Sequence, residues 1–542
     1  MPFPPLPLPS PWTGDDYECG FPVTLLPELA MRAASNAIRE KPNWWGKYKD
    51  PTISSRWKEE IKAISSRSGG GRVLNDEQIE YVFKELDWYA DQRQKQVDSG
   101  LQAPIEQGIN GTRRSDGLIL PELKERLLKC VEKLKDVPEH LLDWHPGSNK
   151  QVLDLVHPSL FPFISGRTRV TKEDAIPAMD FIGKGEISEK SLVAAREDTA
   201  YYSKRYQWLP TDFEVSDEGK VKFRSYINNL HPVQHKDLYP VLEEILEKFM
   251  PMFEEVLAEM RDTEMHSILD ADPYNWYEER RSGDDDDDDG DGDDDYYENR
   301  AFKPIQIPEY EPRKDLEKYD LKSRKDLQVI VKLANIELTP ENPKYQGGAW
   351  HVEGMANENI VASGIYYYQS ENISESRLNF RIQVQEPEYE QSDDRGVFEM
   401  YGLANEEALV QYLDGIVTKQ DRCIAFPNIF QHQVQPFTLE DPSKPGYRSI
   451  LVFFLVNPEK PILSTTNVPP QQKDWAKPSG MLLEVQNKMP PEIFRKIDSL
   501  LDWPMDIKEA KAHREDLMKE RKFFVSKTNE EMFERPFSLC EH

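Results

Sequence analysis

The sequence is poor in cysteine, in long apolar runs and in positive charge. Its four cysteines, Cys19, Cys130, Cys423 and Cys540, lie far apart, which argues against a zinc knuckle or a disulfide framework and is typical of an intracellular protein. The longest purely apolar run, 450–456, is much shorter than the roughly 20 residues of a transmembrane helix. The N-terminal segment has no basic stretch followed by an apolar one, so we expect no secretory signal.

Negative charge is in excess. The formal net charge is −30, and ten of the aspartates lie between positions 284 and 295. An acidic protein repels phosphate backbones, so we expect no nucleic-acid partner. The short apolar runs argue against membrane association, and the cysteine usage favours a cytoplasmic location, with a nuclear one left open. The acidic segment 282–298 also matches the spacing of a calcium loop, as any run of aspartates does, and its charge predicts a disordered, solvated loop.

With 38% hydrophobic and 11% aromatic residues, most of the 542-residue chain is predicted to be globular. Residues 1–200 form a mainly helical N-terminal region, with a capping box at Asn75 and Gln78 and a helix start at Pro121. Pro251 is predicted to kink a long apolar helix or to split it in two. A C-terminal helical extension, 471–542, follows.

The segment between residues 327 and 457 is rich in β-branched and aromatic residues separated by turn residues, which predicts a sandwich or barrel. One inserted helix is predicted at 406–413, with Asn405 as its cap. The predicted strands are 327–338, 360–368, 378–384, 423–426 and 449–456.

Two histidines and one glutamate form a candidate metal site. In an extended segment His351 and Glu353 point the same way and can present an imidazole and a carboxylate to one ion. His432 lies at the edge of another apolar strand. Two histidines and a carboxylate can occupy one face of an octahedral iron, leaving the other face for a bidentate cosubstrate and O2.

Arg448 opens the last apolar strand of this segment. An arginine is costly to bury without an anion, and its planar fork can grip a carboxylate at two points. The alternatives are an internal ion pair or an arginine whose head reaches solvent.

The order of these residues resembles that of Fe(II)/2-oxoglutarate dioxygenases, in which a double-stranded β-helix brings together His-x-Asp/Glu, a distant His and an Arg or Lys. Ile365-Tyr366-Tyr367 resembles a strand of prolyl-hydroxylase-type members. Segments 225–232, 347–358 and 426–432 are similar to a large, mostly fungal family of unknown function, and that similarity spans nearly the whole chain.

The resemblance implies an α+β protein with a jelly-roll core at 201–470, wrapped by N-terminal and C-terminal helices. His351, Glu353 and His432 would hold Fe(II), and no further residue would be catalytic. The enzyme would use 2-oxoglutarate and O2, release succinate and CO2, and oxidise an unidentified small-molecule or protein substrate.

Further residues are assigned by the same resemblance. Arg448 and Tyr367 would bind the far carboxylate of 2-oxoglutarate, and Asn335 would face it. The sequence departs from the family pattern in two ways. Glu353 stands where most members have Asp, and Ile450 replaces the serine of an Arg-x-Ser pair, so that Ser449 or Tyr367 would supply the hydroxyl.

Several polar residues near these motifs have weaker assignments. The predicted partners around the metal site are Asn357, Asn428 and Gln433. Turn or capping roles are predicted for Asn228, Asn229 and His231, with a substrate-lining role as the alternative.

Two other functions fit the same sequence. The alternatives to an active dioxygenase are an inactive dioxygenase-fold scaffold and a cupin-like metalloprotein that uses no 2-oxoglutarate. A jumonji-type oxygenase is a closer variant, but its members usually hold the distal carboxylate with lysine.

Overall fold

The computed structural model describes most of the chain. The predicted acidic loop at 282–298 lies outside the described residues. The described residues are 7–12, 21–65, 74–101, 103–172, 179, 182, 184–188, 201–262, 267–278, 300–475, 488–493, 496 and 504–539.

The described residues form eight α-helices. They are α1 (Leu26–Arg39), α2 (Trp44–Lys47), α3 (Pro51–Ser65), α4 (Asp76–Asp98), α5 (Pro121–Lys135), α6 (Leu238–Arg261), α7 (Asp394–Tyr401) and α8 (Ile507–Thr528).

Helices α4 and α5 confirm two local sequence predictions. At the start of α4, Asn75 Oδ1 accepts the backbone N–H of Gln78 at 2.8 Å, and Gln78 Oε1 accepts that of Asn75 at 2.9 Å. Pro121 is the first residue of α5, a position whose backbone N–H has no partner within the helix, so no helical hydrogen bond is lost. In α8, Ala510 and Leu517 are buried among residues of the core.

The strands are mostly antiparallel, and the longest of them coincide with the predicted ones. They are β1 (Glu106–Gln107), β2 (Arg113–Asp116), β3 (Val152–Val156), β4 (Phe163–Ile164), β5 (Arg169–Val170), β6 (Glu186–Ile187), β7 (Tyr206–Gln207), β8 (Thr211–Val215), β9 (Val221–Phe223), β10 (Leu327–Leu338), β11 (Lys344–Tyr345), β12 (Ile360–Glu371), β13 (Arg377–Gln383), β14 (Val410–Val417), β15 (Arg422–Pro427), β16 (Gln431–Val434), β17 (Phe437–Thr438) and β18 (Gly446–Val456).

A nine-stranded antiparallel sheet forms the centre of the protein. Its order is β1-β2-β15-β12-β18-β10-β8-β9, and β3 pairs with β10 as well. A second sheet has the order β14-β13-β16. Strands β2 and β3 belong to the region predicted as mainly helical, so residues 1–200 contribute to the central sheet. The division at residue 200 stays a prediction.

The two faces of the large sheet pack against different partners. On β18, Leu451 and Phe453 face helix α6, where the rings of Phe249 and Phe453 are 5.7 Å apart. Val452 and Phe454 point to the opposite face, because successive side chains alternate along a strand. That opposite face carries the candidate site described below.

The small sheet covers this opposite face. Leu378 and Phe380 of β13 belong to the same core as Val452 and Phe454. The ring of Phe380 lies 5.1 Å from that of Phe426 on β15. The two antiparallel sheets therefore enclose one shared interior.

Of the two outcomes predicted at Pro251, a kink or a split, the split is excluded, because helix α6 runs through this residue as one continuous helix. Its close approach to the sheet depends on Gly364 of β12. A Cβ at that position would lie 2.7 Å from the Phe249 ring, so glycine leaves the space that the helix occupies.

The predicted helix at 406–413 is also wrong. Glu406 has a φ of 60°, which is incompatible with a right-handed helix, and strand β14 begins at Val410 and pairs with β13. Asn405 does not cap a helix here; its Oδ1 accepts the N–H of Leu539 at 2.9 Å.

Within the segment 108–117, strand β2 pairs with β15. Strands β8 and β9 form an antiparallel hairpin. No helix among the described residues combines the length and the apolarity that crossing a bilayer needs.

Candidate metal centre

A two-residue backbone bridge brings His351 and His432 together. The N–H of His432 donates to the carbonyl of His351 at 2.9 Å, and the N–H of His351 donates to that of His432 at 3.2 Å. The bridge continues the small sheet beyond β16. Gly347, with a φ of 89°, makes the preceding turn, and a Cβ there would lie 2.7 Å from the carbonyl oxygen of Val434.

The side chains of His351, Glu353 and His432 converge. Glu353 Oε1 lies 3.3 Å from His432 Nε2 and 3.8 Å from His351 Nε2. Ligand atoms held at right angles about 2.1 Å from one ion would be about 3 Å apart, so a small adjustment would let all three bind one metal. The three residues that the sequence indicated as metal ligands therefore lie close together in the folded chain.

Local hydrogen bonds orient the ligands. His351 Nδ1 lies 2.8 Å from the carbonyl of Ala349, which can only accept, so Nδ1 carries the proton and Nε2 keeps its lone pair. Asn428 fixes Glu353 on both sides of its backbone: Oδ1 accepts the N–H at 2.8 Å, and Nδ2 donates to the carbonyl at 3.0 Å.

The protonation states suit metal binding. Burial lowers the pKa of His351 to about 4, and the neighbouring His432 adds to this effect. Burial alone would raise the pKa of Glu353, but the hydrogen bond from His432 and the nearby imidazoles lower it to about 2. At neutral pH the cluster therefore offers neutral His351 and an ionised carboxylate.

A test of the fit comes from His432. Its side chain is buried, and its Nε2, the nitrogen that would bind the ion, lies 3.3 Å from Glu353 Oε1. With Nε2 turned towards Glu353, the imidazole is positioned as a ligand. Two nitrogens and one carboxylate oxygen fit Fe(II), and the residues present are therefore consistent with the implied metal.

Arg448 is buried on the face of the large sheet that the small sheet covers. Its Nη1 donates to Ser376 Oγ at 2.5 Å and to Thr418 Oγ1 at 3.1 Å, whereas its Nε has no partner among the described residues. Its guanidinium carbon lies 5.5 Å from the centre of the Tyr367 ring. Burial raises the pKa of the Tyr367 hydroxyl, whereas the charge of the neighbouring Arg448 lowers it. Burial dominates and raises this pKa to about 12, so the hydroxyl stays protonated.

The structure does not bring Asn335 to this face, which corrects the prediction that it faces a cosubstrate. Asn335 pairs with Ser449 in the sheet, and its side-chain amide lies 3.4 Å from the Tyr368 hydroxyl. Lys135 of α5 lies on the same side. Ser449 points away from Arg448 for the same reason, since neighbouring strand residues alternate.

Three of the other polar residues have structural roles. Asn228 donates to the carbonyl of Phe161 at 3.1 Å, and Asn229 donates to that of His157 at 2.9 Å. His231 accepts the N–H of Val233 at 3.2 Å. The bond of His231 is local and fits the predicted turn role, whereas Asn228 and Asn229 connect their segment to the distant residues 157–161.

The two remaining candidate partners do not contact the imidazoles. Gln433 donates to the carbonyl of Gly348 at 2.9 Å, and Asn357 donates to that of Tyr206 at 2.9 Å. They support the backbone around the cluster.

A cavity of about 160 Å³ opens beside His351 and Glu353. Sequence reasoning missed its walls, because they come from distant segments. Its lining includes Trp12, Tyr201, Trp208, Met355, Arg521 and Phe524.

Helix α8 is fixed over this cavity by a partly buried ion pair. Arg521 Nη2 donates to Glu358 Oε1 at 2.6 Å, and its guanidinium carbon stacks 3.8 Å from the Trp208 ring. A larger cavity, about 440 Å³, lies elsewhere, lined by Arg32, Arg39 and Glu259 among others, and contains none of the three converging residues.

Comparison with known protein families gives two matches. A family model described as "Protein of unknown function (DUF4246)" matches residues 76–479. A second, "Domain of unknown function DUF4246, N-terminal", matches residues 5–60. No curated protein matches the chain.

Similar solved structures share little sequence with it. The Fe(II)/α-ketoglutarate-dependent dioxygenase TqaL is 9% identical over 71% of this chain and 92% of its own, with a TM-score of 0.27. IDO from Bacillus thuringiensis is 14% identical over 25% of this chain and 48% of its own, with a TM-score of 0.17.

A bsmA homolog from Methylobium petroleophilum PM1 is 11% identical over 24% of this chain and 42% of its own, with a TM-score of 0.16. The matches therefore span less than half the length of the bsmA homolog and of IDO. These TM-scores are too low to assign a fold or an activity.

Proposed function

We propose that this chain, which belongs to the DUF4246 family of proteins of unknown function, is an Fe(II)- and 2-oxoglutarate-dependent dioxygenase. The observation that carries the proposal is the convergence of His351, Glu353 and His432 on one point, within 3.8 Å of Glu353 Oε1. The interior that they border also contains a buried arginine, Arg448, suited to a dicarboxylate cosubstrate.

The strand order supports a double-stranded β-helix. Strands β15-β12-β18-β10 are consecutive in the large sheet, and β14-β13-β16 with the His351 segment form four antiparallel segments opposite them. Eight antiparallel strands in two facing sheets are the architecture of a jelly roll. The three converging residues, His351, Glu353 and His432, lie on the smaller of these two sheets.

Each residue has a separate task in the proposed reaction. When bound, Fe(II) with 2-oxoglutarate and O2 supplies the oxidising chemistry. His351, Glu353 and His432 would hold the metal. Arg448 would bind the far carboxylate of 2-oxoglutarate, with the protonated Tyr367 hydroxyl as a further donor.

The cavity beside the cluster would admit the substrate. Its aromatic walls, Trp12, Tyr201 and Trp208, limit the entry of water and favour an apolar group at the reacting end of the substrate. The cationic Arg521 is already paired with Glu358, so it holds α8 in place rather than binding substrate.

Anaerobic titration of the full chain with Fe(II) and 2-oxoglutarate tests the proposal. We expect a saturable metal-to-ligand absorption band, and succinate release once O2 is added. His351→Ala should abolish both signals. His140→Ala, at an exposed position on a short 3-10 helix, is the matched control and should retain them.

Two outcomes would contradict the proposal. A wild-type protein that binds Fe(II) but shows no 2-oxoglutarate-dependent band would be a metalloprotein of another type. A protein that binds neither would be a scaffold.

A further inference from the structure

A second group of metal-ligand side chains surrounds strand β3. His145 precedes this strand, Asp154 lies on it and His157 follows it directly. One ligand atom from each of the three residues lies within 4.8 Å of the others. The ligands of one ion, about 2.1 Å from it, are about 3–4 Å apart, so small side-chain rotations would bring all three onto a metal.

The backbone around β3 fixes the positions of these side chains. The N–H of His145 donates to the carbonyl of Val152 at 2.8 Å, and the N–H of Asp154 donates to that of Asp143 at 2.9 Å. These bonds fold the chain before β3 back onto the strand. His145 Nδ1 consequently lies 2.7 Å from Asp154 Oδ2.

Only one of the two oxygens of the Asp154 carboxylate has a hydrogen-bond partner among the described residues. Asp154 is 5% exposed, and its Oδ1 has no hydrogen-bond partner among the described residues. A buried carboxylate oxygen without a donor is costly, and a cation would satisfy it.

His157 is positioned to contribute as well. Its side chain is 7% exposed, and its Nδ1 accepts the N–H of Ser159 at 3.2 Å. Nδ1 is therefore occupied, which leaves Nε2 as the nitrogen for a metal. Its ring centre lies 5.1 Å from that of His145.

Two cations near Asp154 do not occupy the site. Arg514 Nη1 is 3.9 Å from Asp154 Oδ2, but the guanidinium donates to both oxygens of Asp143, at 2.6 and 3.0 Å. Lys332 acts on Asp154 through its charge alone. Neither residue donates to Oδ1 of Asp154, so that ligand atom remains available.

We propose that His145, Asp154 and His157 bind a second divalent ion of the zinc type, separate from the ion held by His351, Glu353 and His432. Two imidazoles and a carboxylate with one open position are a common zinc donor set. This proposal does not depend on the dioxygenase activity.

The second site connects to the wall of the first. Ser159, whose N–H binds His157, accepts a hydrogen bond from Trp208 Nε1 at 3.0 Å. The Trp208 ring lines the cavity beside His351 and lies 6.5 Å from the His157 ring. An ion at the second site would therefore hold Trp208 in position.

Co(II) binding to the metal-free full chain tests the proposal, with stoichiometry measured by equilibrium dialysis and metal analysis. We expect two equivalents in the wild type and one in His432→Ala. The combined variants His432→Ala/His157→Ala and His432→Ala/Asp154→Asn should bind none. Asp154→Asn keeps the side-chain shape, so it still reports if the His157 variant fails to fold.

The outcomes separate the two sites. If His432→Ala binds no Co(II), or if its remaining equivalent survives in both combined variants, the second site is overturned. If the wild type binds one equivalent that His157→Ala abolishes and His432→Ala keeps, the second site stands and the proposed iron centre fails. His140→Ala should match the wild type throughout.

Discussion

Two buried arginines of the large sheet, Arg422 and Arg448, differ in the charges around them. Arg422 donates to both oxygens of Asp116, at 2.7 and 2.9 Å, and to Glu40 at 2.9 Å. Arg448 donates to the hydroxyls of Ser376 and Thr418, and no carboxylate of the described residues forms an ion pair with it. Because an uncompensated buried cation is unfavourable, Arg448 favours binding of an anion.

The variant Arg448→Met should therefore lose 2-oxoglutarate affinity without losing the fold. Two charge-assisted hydrogen bonds of about 1.5–3 kcal/mol each predict a Kd at least about 100-fold higher. Thermal unfolding with Fe(II) and excess 2-oxoglutarate would show a raised Tm in the wild type and no such shift in the variant.

Arg422→Met is the matched control for this measurement. This substitution leaves Asp116 and Glu40 without the cation that they contact, so it should lower the Tm of the free protein. The increase in Tm caused by 2-oxoglutarate should be preserved. An unchanged shift in Arg448→Met would show that Arg448 only supports the sheet.

Asn428 is a positioning residue for Glu353. It is fully buried and makes three hydrogen bonds, to the N–H and carbonyl of Glu353 and to the carbonyl of Ile360. Removing a partner that orients a metal ligand typically costs about 10–100-fold in metal affinity, and we expect this loss in Asn428→Ala. Isothermal titration with Fe(II) under anaerobic conditions would measure it.

Gln411 offers a control of equal hydrogen-bonding capacity. Its buried side chain also makes three bonds to backbone groups, at Thr24 and Tyr401, away from the converging ligands. Gln411→Ala and Asn428→Ala should lose similar stability, about 1–3 kcal/mol. Equal Fe(II) affinities in the two variants would refute the positioning role.

At the scale of elements, an ion-pair network joins α1, β2 and β15. Arg422 of β15 contacts Asp116 of β2 and Glu40 at the end of α1. Burial alone would raise the pKa of Asp116, but its hydrogen bond to Arg422 and the charge of that arginine lower it to about 2. Burial alone would also raise the pKa of Glu40, but the charges of Arg114 and then of Arg422 lower it.

This network predicts part of the acid sensitivity of the protein. Asp116 has a folded pKa of about 2, below its ordinary value of 3.8. Its contribution to stability is thus complete above about pH 4 and is lost as the pH falls towards 2. Urea unfolding at pH 5 and pH 3 should show a smaller decrease in stability for Asp116→Asn than for the wild type. Equal decreases would mean that the ion pair is screened by solvent.

For the molecule as a whole, the sequence predicted local features best. The capping box of Asn75 and the start of α5 depend on neighbours within one turn, and the long strands of the core depend on continuous apolar composition. Segment 406–413 was mispredicted because its apolar spacing fits a helix as well as a buried strand, and pairing with β13 decides the outcome.

The candidate site was predicted in part for a related reason. His351, Glu353 and His432 lie in recognisable sequence contexts. The position of Asn335 depends on which face of a strand it occupies, and β10 is buried on both faces, so no polar alternation reveals it. The walls from Trp12 and α8 are long-range contacts that composition does not encode. The only signal for the second cluster was the short spacing between Asp154 and His157.

From the strand pairing in the large sheet we also predict that residues 1–200 cannot be removed without loss of the fold. Strand β2 pairs with β15 and β3 pairs with β10, and helix α5 buries Leu123 and Leu127 in the core that includes α6. Without them the chain starting at residue 201 would expose two strand edges and an apolar helix face. Arg422, 1% exposed, would also lose its carboxylate partners.

We therefore expect the 201–542 fragment to aggregate and to show no cooperative thermal transition in circular dichroism. Deleting 284–295 is the control. Glu278 donates a backbone hydrogen bond to the carbonyl of Ala301 at 2.8 Å, so the flanking chain ends already meet, and this deletion should keep the wild-type transition. A monomeric 201–542 fragment that unfolds cooperatively would instead support an independent core domain at 201–470, because the sheet would then be stable without β2 and β3.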